Sequence, residues 1–257
     1  MVNLHYSPVI WGILLAAGQG TRFAEQRPGQ DKLLQPLPHH LSVLQASTLA
    51  LARHCALTLV VTLPEHTSRH EQVQALRADC PARKHSLGDI ELLCSAAGHQ
   101  GMGSSLAAAA LTLQQRVAHT GQPPDALLVA LADMPGILPS SYEAIIQALT
   151  GANRNVGAPT PGAPPNAGTS TPPKTAPQNP TAQTKIQRPL IAAPEYTQQR
   201  GHPVGFHWAL CTDLTQLKGD QGARKLLQRH GCQAVPVDDP AVLKDIDVPE
   251  QLQDFLY

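Results

Sequence analysis

LLAAGQGTRF, residues 14–23, sets alanines and glycines directly after a strongly apolar run. Such a run is typical of a buried strand, and the small residues that follow it let the backbone approach a ligand closely. Successive open amides in a turn of this kind form a concavity that binds anions, and Arg22 adds a cation beside it. An ordinary tight turn between a strand and a helix accounts for the glycines alone equally well. The segment therefore predicts the first strand of an α/β domain, followed by a candidate phosphate-binding loop.

Apolar runs typical of strands recur along the chain, and helical patterns separate the first four of them. The predicted strands cover residues 9–16, 57–63, 90–94, 126–131, 189–193 and 233–237. The predicted helices cover residues 41–54, 68–78, 104–119 and 139–149. Strands that alternate with helices form a mostly parallel sheet with helices on both faces, and its ligand site lies beyond the carboxyl ends of the strands. We therefore expect a Rossmann-like α/β fold, a three-layer sandwich.

The segment from residue 151 to residue 187 differs from the rest, with eight prolines, no aromatic residue and no acidic residue. Such a composition buries too little apolar surface to offset the entropy of ordering. Strand and helix patterns resume after it, so we predict a disordered, low-complexity insertion within a single domain that covers residues 1–257. A linker between two domains is the alternative.

Composition excludes several classes of protein. Nineteen basic and nineteen acidic residues give no net charge, which argues against a nucleic-acid partner. The five cysteines form no CxxC pair and are odd in number, so neither a disulfide framework nor a zinc site is indicated. The N-terminal apolar run is too short to span a membrane. We expect a cytoplasmic protein without a membrane partner.

Acidic side chains at two places could bind a metal ion. Asp133 follows the most apolar of the predicted strands, where burial disfavours a charge unless a cation or hydrogen-bond donors compensate for it. Asp133 could equally cap the next helix. Asp245 and Asp247 precede a short C-terminal helix, and Asp247 is well placed as its N-cap. Metal binding and helix capping therefore both remain open.

The loop GMGSSL, residues 101–106, leads into an Ala-rich helix. Its serines and the open amides of a helix start could bind a base or a phosphate, although capping alone would also explain the serines. Lys32 in GQDKLL is a second candidate phosphate ligand, or a solvated surface charge.

Two polar clusters lie in RGHPVGF and KGDQGARKLL. They comprise Arg200, His202, Asp220 and Arg224. These side chains suit a second, anionic substrate, while each taken alone is more often a surface residue.

Seven segments together resemble, in order, the motifs of the molybdenum cofactor cytidylyltransferases, which are similar to the molybdopterin guanylyltransferases. The segments are LLAAGQGTRF, GQDKLL, GMGSSLA, LADMP, RGHPV, GDQGAR and DIDVPEQL. They extend over both ends and the middle of the chain and leave out only residues 151–187. Seven short motifs in one order are much more specific than any single one.

The resemblance implies a nucleotide-diphospho-sugar-transferase-like fold and a reaction that joins CMP from CTP to molybdopterin and releases pyrophosphate. Mg²⁺, or Mn²⁺, would be bound by Asp133 with Asp247 or Asp245 as its partner. Arg22, Lys32 and Asp133 would be the catalytic residues. The implied nucleotide-binding residues are Ala16, Ala17, Gly18, Gly20, Thr21, Arg22, Lys32, Gly101, Met102, Gly103, Ser105 and Asp133. The implied second-substrate residues are Arg200, His202, Asp220 and Arg224.

Other functions compete with this one. The choice of CTP rests on LAAG at residues 15–18, where guanylyltransferase relatives tend to have LAGG, and on GMGSSL. The same site could serve GTP, or another phosphorylated acceptor such as a sugar phosphate. An NAD(P)H-dependent oxidoreductase and a non-catalytic chaperone that delivers the cofactor to a molybdenum hydroxylase apoenzyme are alternatives from other classes. No dinucleotide-binding fingerprint supports the oxidoreductase.

Overall fold

The structure, a computed structural model, describes residues 7–38, 40–79, 87–151 and 188–255. The predicted disordered insertion lies outside the described residues, apart from Gly151 at its start. No helix in the described ranges combines the length and the apolar character needed to cross a membrane.

The described residues contain one sheet of eight strands. They are β1 (Ile10–Leu15), β2 (Leu57–Thr62), β3 (Asp89–Cys94), β4 (Ala126–Leu131), β5 (Ile191–Tyr196), β6 (Gln199–Arg200), β7 (Val204–His207) and β8 (Gln233–Pro236). Their order is β3-β2-β1-β4-β7-β5-β6, and β8 pairs with β5. Strands β3, β2, β1 and β4 are parallel to one another, and β7 runs antiparallel to both β4 and β5. The mostly parallel sheet is confirmed, while β6 and β7 were not predicted.

Seven α-helices occur in the part of the chain that is described. They are α1 (Thr21–Gln26), α2 (Val43–Ala52), α3 (Thr67–Asp79), α4 (Met102–Thr120), α5 (Pro139–Thr150), α6 (Cys211–Leu214) and α7 (Arg224–His230). The four predicted helices are all present, and α5 begins at the predicted residue, while the other ends differ by one or two residues. Helix α2 begins two residues later than predicted because Ser42 and Gln45 form a capping box at its start.

Helices cover both faces of the sheet, so the chain has two hydrophobic cores. Along β1, Ile10 and Leu14 face the core beneath α2, α3 and α5. Trp11 and Ile13 face the core beneath α4, α6 and α7. Strands buried on both faces read as continuous apolar runs, which explains why β2 and β4 were recognisable in the sequence. The three-layer α/β sandwich is confirmed.

The pairing of β1 with β4 positions the loops that follow them. Leu15 at the end of β1 lies opposite Leu131 at the end of β4. The Ala132 amide then donates to the Leu15 carbonyl at 3.1 Å. The loop after β1 and Asp133 therefore begin side by side at the carboxyl edge of the sheet.

Candidate active site

The loop after β1, residues 16–20, presents a row of open backbone amides. The Ala16 amide donates to the Val61 carbonyl at 2.8 Å, so hydrogen bonding of the sheet ends there. From Ala17 to Gly20, no backbone amide donates to a protein atom of the described chain. Gly20 has a φ of 60°, a left-handed conformation that glycine adopts without strain. Such a run of open donors is suited to binding an anion.

This loop forms one wall of a cavity of about 460 Å³, a volume within the range of ligand sites. The predicted nucleotide-binding residues that line it are Ala16, Ala17, Gly18, Gly20, Lys32, Gly101, Met102, Ser105 and Asp133. Three predicted members, Thr21, Arg22 and Gly103, are not part of the lining. His99 and Gln100, which were not predicted, contribute to the wall beside Gly101.

Lys32 lies between two of the predicted metal ligands. Its side chain is 9% exposed, and its Nζ donates to Asp133 Oδ2 at 2.6 Å and to the Ile246 carbonyl at 2.9 Å. Asp247 Oδ1 is 3.6 Å from the same nitrogen. On the outer side, Arg22 donates to Asp247 Oδ2 at 2.7 Å through a side chain that is 75% exposed. A buried ammonium needs such compensation, and the cluster supplies it.

Neither Asp133 nor Asp247 acts as a helix cap. Helix α5 is instead capped from a distance by the buried Asp239, whose Oδ2 accepts from the Leu138 amide at 2.9 Å. The Asp247 carboxylate accepts from Arg22, while its backbone amide donates to Gln251. Both carboxylates are therefore left to face Lys32.

Burial raises the pKa of Asp245, and the nearby Asp247 and Asp133 carboxylates raise it further. Three carboxylates thus approach one another, and their hard oxygens are the ligands that Mg²⁺ and Mn²⁺ prefer. Within the described ranges, no group of three His, Cys, Asp or Glu side chains is arranged to hold a metal ion by itself. The site fits an ion that one or two carboxylates share with substrate phosphates, which is the usual environment of Mg²⁺.

The glycines at the start of α4 are required for close packing. Gly101 has a φ of 111°, and a Cβ there would lie 2.7 Å from Asp220 Cα. The Gly103 amide donates to the Gly219 carbonyl at 2.8 Å. The Met102 amide approaches Asp220 Oδ1 at 3.4 Å. The turn at residues 218–220 therefore docks on the start of α4.

This docking places the four predicted second-substrate residues in two neighbouring cavities. Asp220 caps α4 and lines the first cavity, whereas the other three residues line a neighbouring cavity of about 210 Å³. Those three are Arg200, His202 and Arg224. Asp220 and Arg224 separate because the chain turns between them and α7 begins at Arg224.

The second cavity adjoins the first through a shared wall of Leu15, Met102 and Leu131. Burial lowers the pKa of His202, although a hydrogen bond with the Val129 backbone opposes that shift. The Nδ1 atom of His202 is buried and has no partner among the described residues. The cavity therefore combines apolar walls, a neutral imidazole and two arginines.

Sequence reasoning missed Asp31 and Arg69. The Arg69 side chain, 3% exposed, pairs with Asp31 and donates to carbonyls of the loop after β1. The sequence of α3 is so polar that it predicts a surface position for Arg69. Its spacing to the buried Val73 and Leu76 was the available signal, since positions i, i+4 and i+7 share one helix face.

Comparisons with known proteins agree on the fold. The family model of the MobA-like NTP transferase domain matches residues 12–235. No curated protein matches the sequence. Rv0371c from Mycobacterium tuberculosis H37Rv is 20% identical, with a TM-score of 0.58 and 98% of each chain covered. Its complex with manganese is 19% identical, with a TM-score of 0.55 over 98% of this chain and 99% of that one.

Two further solved structures share the architecture. A nucleotidyl transferase from Methanothermobacter thermautotroptrophicus is 17% identical, with a TM-score of 0.60 over 96% of this chain and 98% of that one. The 4-diphosphocytidyl-2C-methyl-D-erythritolsynthase from Anaerococcus prevotii DSM 20548 is 10% identical, with a TM-score of 0.55 over 97% of this chain and 95% of that one. At these identities the likeness shows the fold alone.

Proposed function

This chain belongs to the MobA-like NTP transferase family, and we propose that it transfers CMP from CTP to the terminal phosphate of molybdopterin and releases pyrophosphate. Membership of the family makes it a nucleotidyltransferase. The choice of CTP and of molybdopterin is the proposal, and it rests on the seven ordered motifs.

One observation carries the catalytic part of the proposal. The open amides of residues 17–20 line the same cavity as Lys32 and Asp133. The amides would hold the triphosphate, and Lys32 would move from the carboxylates to the phosphates as they arrive. Arg22 would leave Asp247 and hold the outer phosphates from the rim, since its side chain is mostly exposed. Nucleotidyl transfer depends mostly on positioning and on neutralising negative charge, so the protein needs no nucleophile of its own.

The carboxylates define where a divalent cation would act. Asp133, with Asp247 or Asp245, would hold Mg²⁺ or Mn²⁺. When bound, the ion neutralises charge on the phosphates and orients them. The manganese complex of Rv0371c supports a divalent ion in this fold.

The second cavity would receive the acceptor. Arg200 and Arg224 supply cations for an anionic group, and the apolar wall supplies a surface for a ring system. Because the two cavities share Leu15, Met102 and Leu131, an acceptor phosphate there would lie next to the nucleotide. Its oxygen would attack the α-phosphate of CTP in line, form the new P–O bond and expel pyrophosphate. The product would pass to a molybdenum hydroxylase apoenzyme.

Base selection would fall to the loop before α4. Gln100 and His99 border the cavity beside Gly101, and a site that hydrogen-bonds the edge of one base rejects a base without matching groups. The cytidyl compound named for the Anaerococcus prevotii enzyme is consistent with a pyrimidine nucleotide in this fold.

The test is pyrophosphate release from CTP or GTP, each with Mg²⁺ and with or without molybdopterin. We expect release that requires molybdopterin and is at least about tenfold faster with CTP, a difference of about 1.4 kcal/mol. Faster release with GTP would disprove the cytidylyl assignment. Release with a sugar phosphate but not with molybdopterin would disprove the acceptor.

A further inference from the structure

We propose that Arg69 is the positioning residue that aims backbone amides of residues 17–20 into the nucleotide cavity and holds the Lys32 turn opposite them. The proposal rests on the proposed function only in requiring that this cavity bind a triphosphate. It is independent of the base and of the acceptor.

A single guanidinium contacts both segments. Arg69 NH1 donates to the Ala16 carbonyl at 2.6 Å and to the Gly18 carbonyl at 3.0 Å. Its Nε and NH2 donate to the two carboxylate oxygens of Asp31 at 2.5 and 2.9 Å. A buried arginine stays charged, so it requires this bidentate partner. The fork thus joins the loop after β1 to the segment that carries Lys32.

The contacts to the carbonyls determine where the neighbouring amides point. In a planar trans peptide, the C=O and the following N–H point in opposite directions. Because Arg69 draws the carbonyls of Ala16 and Gly18 to one side, the amides of Ala17 and Gln19 point to the other. Both of these residues line the cavity, and their amides have no acceptor among the residues described. Arg69 therefore keeps the carbonyl oxygens, which would repel phosphate, away from the cavity.

The pairing of Arg69 with Asp31 also positions Lys32. Asp31 Oδ1 also accepts from the Leu33 amide at 2.9 Å, which fixes the short 3-10 helix Lys32–Leu34. Lys32 then extends to Asp133 on the far side of the cavity. The same guanidinium thus sets the spacing between two groups that would contact the triphosphate. A lysine at position 69 carries the charge but lacks the planar fork that spans three acceptor groups.

The experiment compares Arg69→Lys with Arg77→Lys, the same change on the same helix. Arg77 is exposed and makes no ion pair in the described part of the chain. Binding of inorganic tripolyphosphate and of CTP, both with Mg²⁺, is measured by calorimetry well below the melting temperature. We expect Arg69→Lys to weaken both ligands by about tenfold, the loss of roughly one charge-assisted hydrogen bond, and Arg77→Lys to change neither.

A purely structural role for Arg69, holding α3 to the core, predicts a lower melting temperature with unchanged tripolyphosphate affinity of the folded protein. That result would overturn the proposal. Asp31→Asn, which keeps an acceptor for Leu33, gives a second test. We expect the double variant with Arg69→Lys to bind tripolyphosphate no more weakly than Arg69→Lys alone, because the pair acts as one unit. Fully additive losses would count against the coupling to Asp31.

The two proposals fail in different ways. If wild-type protein binds tripolyphosphate but prefers GTP to CTP, the cytidylyl assignment fails and the role of Arg69 is still tested. If CTP binds as proposed and Arg69→Lys binds it as tightly as wild type does, the role of Arg69 fails alone.

Discussion

Replacing Lys32 by methionine removes a buried ammonium while keeping a side chain of similar length. Asp133 and Asp247 then lose the cation that they share, since Lys32 Nζ lies 2.6 Å from Asp133 and 3.6 Å from Asp247. The exposed Arg22 guanidinium stays beside Asp247 and compensates for that carboxylate in part. We expect Lys32→Met to lower the free energy of unfolding in the absence of divalent ions, and Mg²⁺ to restore part of that loss.

The magnitude follows from Coulomb repulsion at an assumed close separation and from the exposure of the two carboxylates. Two unit charges about 4 Å apart interact by about 4 kcal/mol at an effective dielectric constant of about 20. The carboxylates are 21% and 32% exposed, so solvent screens part of this interaction. We expect a loss of about 2 to 4 kcal/mol, which lowers the melting temperature by roughly 4 to 16 °C in a chain of this size. A divalent ion at a concentration tenfold above its Kd would raise the free energy of unfolding by about 1.4 kcal/mol.

The assay is thermal unfolding of wild type and variant, with chelator and with Mg²⁺ or Mn²⁺. Lys225→Met is the matched control, because Lys225 is exposed on α7 and makes no ion pair among the residues described. We expect the metal-dependent rise in melting temperature to be larger in Lys32→Met than in wild type, where the ammonium competes with the ion.

Unchanged stability of Lys32→Met, together with no response to metal, would refute this account. If the variant does not fold, Lys32→Met combined with Asp133→Asn answers the question. Removing one carboxylate relieves the repulsion, so the double variant should fold and be more stable than Lys32→Met alone.

Three further predictions concern the chemistry, the acceptor and the pH dependence. Asp133→Asn should lower kcat for pyrophosphate release from CTP by at least about 100-fold. Asp89→Asn, at the exposed start of β3, should leave kcat unchanged. Equal kcat values for Asp133→Asn and wild type would contradict the role of Asp133. Arg200→Met and Arg224→Met should each raise the KM for molybdopterin by about tenfold and leave the Kd for CTP unchanged. An unchanged KM for molybdopterin would show that these residues do not bind the acceptor. The pKa of His202 is lowered in the folded protein, so the unfolded chain takes up the proton first and folding stability falls as the pH drops from about 7 to about 5. Urea unfolding at each pH should show that His202→Asn makes stability less dependent on pH, whereas His119→Asn on the surface should not. An equally steep loss of stability in His202→Asn would show that His202 does not contribute.

Much of the parallel half of the fold could be predicted because its strands are buried on both faces. The predicted strand 126–131 matches β4 at both ends. Strand β7 escaped prediction because VGFH is short, contains a glycine, and becomes a strand only by pairing with β4 and β5. Its position depends on tertiary contacts that no local pattern encodes.

The site was predicted in its parts more than in its arrangement. Asp133 and the loop after β1 were recognisable, but only the adjacency of β1 and β4 brings them together. Asp220 was grouped with Arg224 because the two lie in one motif, although the chain turns sharply between them. Arg69 was missed because α3 is mostly polar in sequence, so a charged side chain that faces inward does not stand out there.

The antiparallel strand β7 has a consequence for synthesis of the chain. Strands β3, β2, β1 and β4 all lie within residues 10–131, so they emerge from the ribosome well before β7, which begins at Val204. Until β7 arrives, β4 has an open side, and its sequence ALLVAL is entirely apolar. An apolar edge of this kind pairs readily with other chains. A polypeptide cut short before β7 is therefore expected to aggregate, even though it already carries the loop after β1, Lys32 and Asp133.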